Sequence, residues 1–525
     1  MAPSPTALGT RAPRWALAGV AAALAFTFAL SVAYLFRRAP WWDEGLYGDV
    51  ARRFATRGTF GSPLLGASGN FGFAVIPRAD THTYWTTPLY PFVVGLWFRI
   101  AGVGLLQMRV LSLVCSAVLV AAWGSAVRRL TGSVLVAVIA MGLIAVNSHV
   151  LWSASIGRPE ALGSALAAVA LAAYLRWRER HLMRAVCVAS ALVAAGALAH
   201  PLVAVEAVAL AAIALVLDAR RLRPGHVLAA CGVGALVLLP WGLYILQAPD
   251  IFRAQWAANT GTKTGSRLAG LTNPFGALAS DFRERYLFHH FLGVSGGARV
   301  LVVELVALGA AVVLALAWPR VRRIRGFVPL ALAALASFAT LAVLDGSRYQ
   351  QYFVHVYPAL LAFAALAVAT LVVSGRGARL AAAALVVGLA VPGLGGVANR
   401  VAVSPYDRQY TPVAAAVRHH LARGERVTGG SELAFTVGFG ARLVDDMELR
   451  TPTTVYVQNE MFKYFTRGKA VRARLHRDYQ VTLRTDRYTV FVRKAPVVAD
   501  TVRVDTIRAA TVRASPSARA PVAIR

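Results

Sequence analysis

The sequence predicts a mostly α, polytopic membrane helix bundle of about eleven spans with juxtamembrane helices, followed by a small C-terminal α/β extracytoplasmic domain. Three observations predict it. Hydrophobic types make up 57% of the 525 residues and charged types only 15%, which excludes a disordered chain and an ordinary soluble one. Apolar runs long enough to cross a bilayer recur over residues 1–398. From about Asn399 the hydrophobic density falls and short clusters of β-formers replace the long runs.

The first run, Trp15 to Phe36, follows Arg11 and Arg14, exceeds a signal-peptide core and has no clear cleavage site after it. It reads as an uncleaved anchor with a cytoplasmic N-terminus. Ten further runs lie at about 108–127, 133–153, 160–176, 184–199, 201–217, 226–247, 299–318, 327–344, 352–373 and 380–398. Pro88 to Ala101 is ambiguous, because as a helix it is only roughly 21 Å long, against a hydrocarbon thickness of roughly 30 Å. Charge arbitrates. If that segment lies along the outer interface, Arg128/Arg129, Arg176/Arg178/Arg180, Arg220/Arg221/Arg223, Arg320/Arg322/Arg323/Arg325 and Arg376/Arg379 all fall in the cytoplasm; if it crosses, all five clusters land outside. Residues 37–107 are therefore expected to form one external loop with juxtamembrane helices, and the C-terminal region to lie outside. Arg37 and Arg38 break the rule, on the outer side of the first span.

The same pattern governs the reading of net charge. Lys plus Arg number 55 and Asp plus Glu 24, a formal charge of +31 that in a soluble chain would suggest a nucleic-acid partner. Only Lys263, Lys463, Lys469 and Lys494 are lysines, and many arginines sit between apolar runs, so the charge marks topology and no nucleic-acid partner is expected. Cys115, Cys187 and Cys231 lie inside apolar runs without paired spacing, which argues against a disulfide framework or a thiolate metal site. In residues 399–494, Tyr410 to Leu421 reads as a helix, Arg426–Thr428, Thr454–Val457, Gln480–Arg484 and Tyr488–Arg493 as strands, and Glu460–Phe465 as a further helix. Ala495 to Arg525, rich in Ala, Val, Arg, Thr and Pro without an amphipathic period, is expected to be poorly ordered.

Immediately outside the first span stands Trp41-Trp42-Asp43-Glu44-Gly45-Leu46-Tyr47. Adjacent carboxylates at a membrane surface have two explanations. Asp43 caps the following helix with Glu44 in its first turn, or one carboxylate is a general base that takes a proton from an acceptor hydroxyl attacking a sugar carbon. The aromatic residues of this loop, Trp41, Trp42, Tyr47, Tyr84, Trp85 and Tyr90, suit either interfacial anchoring or sugar stacking.

An Asp-Glu pair followed by Tyr outside the first span, a long external loop and a Pro88-Leu89-Tyr90 segment resembles the GT-C superfold of integral-membrane glycosyltransferases, specifically the protein O-mannosyltransferase and aminoarabinose-transferase group. Gln107-Met108-Arg109-Val110-Leu111-Ser112, Gly157-Arg158-Pro159-Glu160, Ala199-His200-Pro201, Leu239-Pro240-Trp241 and Tyr352 with Val356-Tyr357-Pro358 continue the likeness in order. The resemblance implies a polyprenyl-phosphate sugar donor, an inverting single displacement and a site at the external membrane surface. It places Asp43 at the catalytic acidic position, Glu44 beside it and Glu160 at a second acidic position, and it leaves a divalent cation open as cofactor. Taken alone, Glu160 at a span terminus would read as an interfacial anchor.

The donor phosphate needs cationic or hydrogen-bonding partners near the outer interface. Arg78, His82, His200, Arg348 and Tyr349 are the candidates, although snorkelling to headgroups is the ordinary role of such residues. The lysine that commonly precedes the Pro-Leu-Tyr segment is replaced here by Thr86-Thr87. His289 and His290 are read as surface residues. The acceptor is left open among glycan, lipid and protein hydroxyls, and the expected location is a bacterial inner membrane. The alternative reading is a transporter or flippase of lipid-linked sugars, for which Glu206 and Glu304, the main acids within the spans, could form a coupling-ion pair.

Overall fold

The computed structural model describes residues 14–65, 70–71, 74–263, 267–287, 297–440, 442–446, 449, 453–460 and 469–494. Helix α1 (Arg14–Arg37) is followed by α2 (Trp42–Arg57), a short antiparallel pair β1 (Asn70–Phe71) and β2 (Ala74–Val75), and α3 (Leu89–Ala101). The bundle continues through α4 (Leu105–Thr131), α5 (Val134–Val146), α6 (Ser148–Ala154), α7 (Pro159–Trp177), α8 (Leu182–Ala199), α9 (Ala204–Asp218) and α10 (Pro224–Leu246). Three shorter helices, α11 (Pro249–Lys263), α12 (Arg267–Thr272) and α13 (Pro274–Asp281), precede α14 (Gly297–Ala317), α15 (Pro319–Arg322), α16 (Phe327–Leu344), α17 (Tyr357–Val373) and α18 (Arg376–Val403).

Among the described residues seven helical stretches are long and apolar enough to cross a membrane, and α5 with α6 would make an eighth. Every predicted apolar run is found as helix, with three departures, the first being the run at 201–217, which starts as a 3-10 turn, Pro201–Val203, ahead of α9. The run beginning at 352 starts as a 3-10 turn, Gln350–His355, and becomes α-helical only at Tyr357, where Pro358 fits the first turn. The run at 133–153 is broken by a 65° bend at Asn147. A break inside the bilayer frees backbone groups that need partners. Here the Asn147 side chain accepts from the His149 and Val150 N–H groups at 3.1 and 3.3 Å, and its amide donates to Glu304 at 2.5 Å, while Ser148 donates to the other Glu304 oxygen at 3.0 Å. Glu304 thus serves the bend, whereas Glu206 meets His355, so the two acids do not pair with one another as a coupling-ion pair would.

The arginine clusters gather at one end of the bundle. Arg129, Arg176, Arg178 and Arg325 line one cleft, and Arg178 and Arg221 share the Asp218 carboxylate at 2.6 and 2.9 Å. The exceptions, Arg37 and Arg38, have partners at the other end. Arg37 pairs with Asp407, and Arg38 is buried, donating to Ser155 Oγ at 2.6 Å with its guanidinium over the Tyr34 and Trp152 rings. Arg38 thus serves packing, whereas Arg37 is exposed in a surface ion pair. Helix α3 has 13 residues and lies against α2, where Gly95 lets the two backbones approach: a Cβ there would stand 2.8 Å from the Ala51 carbonyl oxygen.

After α18, helix α19 (Thr411–Ala422), strand β3 (Val427–Thr428), the single turn α20 (Ala434–Val437), strands β4 (Leu443–Val444) and β5 (Val455–Asn459), helix α21 (Lys469–Asp478) and strands β6 (Tyr479–Arg484) and β7 (Tyr488–Arg493) form a five-stranded sheet unit. The order is β4-β3-β5-β7-β6, with β3 parallel to both its neighbours and β7 antiparallel to both of its own. Val413 and Val417 of α19 pack on Val427, Val455 and Val490 to make its core. β4, two residues long, is too short for pattern to reveal. Most of the helix expected at 460–465, His289, His290 and all of residues 495–525 lie outside the described residues.

This sheet unit presses directly on α2. Ser431 Oγ donates to the Trp42 carbonyl at 2.9 Å, the Trp42 indole N–H donates to Asp445, and Arg487 donates to the Pro40 carbonyl at 2.9 Å. Gly45 and Gly48, one turn apart on α2, form the contact face; a Cβ on Gly45 would stand 2.0 Å from the Ser431 carbonyl oxygen, and one on Gly48 2.4 Å from the Phe435 ring. Gly45→Ala is therefore expected to destabilise the protein by about 2 kcal/mol and to expose residues 411–494 to limited proteolysis. Gly19→Ala, with nothing within 4 Å of the new methyl, should leave both the proteolysis and the thermal unfolding midpoint unchanged.

Candidate active site

The site begins at the N-terminus of α2. Trp41 is the N-cap, in extended conformation, and Asp43 and Glu44 occupy the first turn. Capping is done by Glu44 and not by Asp43: Glu44 Oε2 accepts from the Trp41 N–H at 2.7 Å. This corrects the expectation that Asp43 would cap. The remaining capacity of Glu44 is also used. Arg109 Nε and Nη2 donate to its two oxygens, each at 2.8 Å, and the Gly157 N–H donates to Oε1 at 2.8 Å. Arg109 and Glu44 are both fully buried, and the arginine's Nη1 also donates to the Leu35 and Arg38 carbonyls at the end of α1, at 2.8 and 2.9 Å. Burial alone would raise the Glu44 carboxyl, but the charge and hydrogen bonds of Arg109, the Arg38 charge and the Trp41 N–H outweigh it and hold the group below its ordinary value.

Asp43 is different. Its side chain is 25% exposed, and Oδ2 meets Arg158 Nη1, leaving Oδ1 without a partner among the described residues. Arg158 lies in extended backbone directly before Pro159, the first residue of α7, so its side chain points across the helix mouth while Glu160 sits in the first turn, favoured by the helix dipole. Arg158 Nη2 donates to Glu160 Oε1 at 2.7 Å, and Nε is 3.1 and 3.2 Å from the two Glu160 oxygens. One guanidinium therefore joins carboxylates that are 117 residues apart in sequence. Gly157 permits the approach: a Cβ there would stand 2.9 Å from the Met108 Cβ and 3.4 Å from Glu44 Oε1.

The array continues inward. His200 Nε2 is 3.9 Å from Glu160 Oε1, and His200 Nδ1 is 3.2 Å from His355 Nε2, with the two imidazoles stacked at 9°. His355 Nδ1 lies 2.8 Å from Glu206 Oε1 and 2.9 Å from Ser164 Oγ. Tyr352 packs against His200 with ring centroids 5.3 Å apart, and Tyr349 against Tyr352 at 6.1 Å. On the other side Tyr47, one turn beyond Asp43, meets Trp85 and Tyr90 at 5.4 and 5.5 Å. Burial first, and then the nearby Glu160 charge, push the Tyr47 phenol well above its ordinary value, so it remains a neutral hydroxyl.

Arg158 thus joins Asp43 and Glu160, Glu44 meets the same segment through the Gly157 N–H, His200 stands 3.9 Å from Glu160, and Tyr349 reaches His200 through the Tyr352 ring. Arg78 and His82 fall elsewhere, on a turn held by Gln255 of α11, which accepts from the Tyr84 and Trp85 N–H groups and donates to the Pro77 and His82 carbonyls. Burial lowers the His82 imidazole, with Arg78 adding to the effect. Arg348 is ion-paired to Glu284 in the loop between α13 and α14. The sequence reading did not single out Arg109, Arg158 or His355 for a role in the site. The first two lay inside quoted motifs, and an arginine in or beside an apolar run needs its donors met, which was the available signal. Arg285 was also missed. It is fully buried and ion-paired to Asp281 and Asp345 at 2.9 and 2.8 Å, and its Nε and Nη1 lack hydrogen-bond partners among the described residues.

For a divalent cation the donor set fits poorly. Among the described residues no group of three or more His, Cys, Asp or Glu side chains converges as a metal site, and the guanidinium of Arg158 stands between Asp43 and Glu160.

No protein-family model matches the chain, and no curated protein sequence does. Among solved structures, ArnT from Cupriavidus metallidurans bound to undecaprenyl phosphate superposes with a TM-score of 0.56 over 90% of this chain and 98% of that one, at 16% identity. The apo form of the same ArnT gives 0.54 at 16% identity over 90% and 97%. The oligosaccharyltransferase AglB from Archaeoglobus fulgidus, in complex with an inhibitory peptide and a dolichol-phosphate, gives 0.50 at 12% identity over 91% and 75%. The chain is a multi-pass membrane protein with the GT-C fold that these glycosyltransferases share.

Removing one member of a buried pair leaves the other charge uncompensated, at a cost of about 3–5 kcal/mol. Arg109→Ala is therefore expected to lower the thermal unfolding midpoint sharply and to free residues 38–44 for proteolysis. The sign of the pH effect follows from the depressed Glu44 carboxyl: its stabilisation is complete above the ordinary value of 4.5 and is lost as pH falls through the lower folded value. Unfolding midpoints measured downward from neutral pH should drop below about pH 4.5 in the wild type, and Glu44→Gln should flatten that acid branch while starting from a lower midpoint.

Proposed function

We propose that the protein is an inverting membrane glycosyltransferase that moves a sugar from a polyprenyl-phosphate donor to an extracytoplasmic hydroxyl, with Asp43 as general base. The observation that carries this reading is the position of Asp43: a partly exposed carboxylate with one oxygen held by Arg158 and the other open. The acceptor O–H bond breaks with its proton going to Asp43 Oδ1 as the acceptor oxygen bonds the anomeric carbon. The bond from that carbon to the phosphate oxygen breaks on the opposite side, and its electron pair leaves with the polyprenyl phosphate. A single displacement of this kind inverts the anomeric configuration. Arg158 orients Asp43 through Oδ2, which leaves Oδ1 to take the proton as charge develops on the attacking oxygen. Glu160 holds the other edge of Arg158, so it is a positioning residue here, as is Glu44 through Arg109.

His200 and Tyr349 are the proposed phosphate contacts, as hydrogen-bond donors on the same face as the carboxylates. Trp85, Tyr47 and Tyr352 offer ring faces for the sugar. Further support comes from the GT-C fold, whose ArnT example holds undecaprenyl phosphate and whose AglB example holds dolichol-phosphate. In the same reading the membrane is a bacterial inner membrane, the N-terminus is cytoplasmic, and residues 399–494 form an extracytoplasmic domain that bears on the acceptor through its contact with α2.

Asp43→Asn in proteoliposomes supplied with polyprenyl-phosphate sugars is expected to bind donor and to lose transfer by about 10²–10⁴-fold, and full turnover in that variant would falsify the assignment. Arg158→Lys keeps a charge but cannot bridge two carboxylates. Its expected signature is a fall in kcat with little change in donor KM.

A further inference from the structure

At the end of the bundle opposite the carboxylates, a cleft of about 280 Å³ opens between the C-terminal ends of α4, α7 and α9 and the loop leading into α16. Its rim carries Arg129, Arg176, Arg178 and Arg325 against a single acid, Glu179. Arg178 is committed to Asp218 at 2.6 Å, and that buried carboxylate also takes Arg221 and the Tyr174 hydroxyl at 2.9 and 2.8 Å. Glu179 Oε1 is shared, 3.3 Å from Arg178 and 3.8 Å from Arg325. Arg129 and Arg176 have no acidic partner among the described residues and are exposed.

Helix dipoles and membrane topology both place arginines at this level, but neither requires a hollow. The hollow is built by the backbone. Gly326, at a φ of +90°, brings the loop onto the end of α4, where a Cβ would stand 2.8 Å from the Leu130 carbonyl oxygen. Leu130, Leu175, Leu217 and Pro329 make its apolar walls. Uncompensated guanidinium forks over an apolar wall at the bilayer edge match a ligand with a phosphate at one end and hydrocarbon at the other.

We propose that this cleft is a binding site for a phosphodiester anion, presented as the headgroup of an anionic phospholipid such as phosphatidylglycerol. It is independent of the sugar chemistry proposed for the opposite face.

The test is native mass spectrometry of the full chain in detergent, titrated with phosphatidylglycerol or with phosphatidylcholine of the same acyl chains, and with excess inorganic phosphate as a third arm. The expected result is one high-affinity site that prefers phosphatidylglycerol. Arg129→Gln with Arg325→Gln should weaken it by about thirtyfold, roughly fivefold for each arginine near the surface. Arg379→Gln, in the same arginine-rich set but not lining the cleft, should leave it unchanged. Should the double variant fail to fold, Glu179→Gln, which removes the rim's acid, should tighten the site by about fivefold. Equal affinity for the two lipids, affinity untouched by the cleft variants, or displacement of the lipid by inorganic phosphate would each overturn the proposal, the last by assigning the cleft to a soluble anion.

Discussion

The arrangement of the end of the bundle that carries Asp43 depends on one buried ion pair, Arg109 with Glu44. A guanidinium in a membrane protein's interior is tolerated only when its donors are met, and Arg109 satisfies them with the end of α1, the start of α2 and both oxygens of Glu44. Glu44 in turn takes the Gly157 N–H. Four chain segments that have no reason to meet by local propensity are thereby fixed within a few ångströms. The pair sets the direction in which α2 leaves the membrane and the position of the residue before Arg158.

That constraint divides labour between two neighbouring acids. Glu44 points into the bundle and is saturated, whereas Asp43, one residue earlier, points along a different azimuth of the helix and keeps one oxygen open to solvent. Adjacent carboxylates in a first helical turn cannot share a direction, so the helix itself turns one into the bundle and leaves the other with an open oxygen. Arg158 then couples Asp43 to Glu160 and, through His200 and His355, to a polar chain that reaches Glu206. Every side chain along that chain has at least one polar partner, while Asp43 Oδ1 and Glu206 Oε2 have none among the described residues.

The sheet unit is part of the same construction. It closes on α2 through Gly45 and Gly48, and its Asp445 accepts a hydrogen bond from the Trp42 indole N–H. Burial pushes the Asp445 carboxyl well above its ordinary range, with the Glu432 charge adding to the shift, against the bonds from Trp42 and Ser431. The helix that carries Asp43 is thus gripped from the bundle side by Arg109 and from the outer side by the sheet, which limits how far the open carboxylate can wander.

By itself the amino-acid sequence determined the class of fold, because hydrophobic length and arginine placement are local quantities dictated by the bilayer, and helices satisfy their own hydrogen bonds wherever they lie. It also determined most strands of the sheet unit, whose β-formers stand in short unbroken clusters, and it pointed to Asp43, Glu160 and His200 through motifs. Tertiary structure alone decided which acid caps α2, that Arg158 stands between two carboxylates, that His355 completes the chain behind His200, and that Arg78, His82 and Arg348 belong to other contacts. The physical reason is that these are pairings between segments distant in the chain, and a charged side chain's partner is chosen by where the packed helices bring their ends, a property that no local pattern of residues encodes.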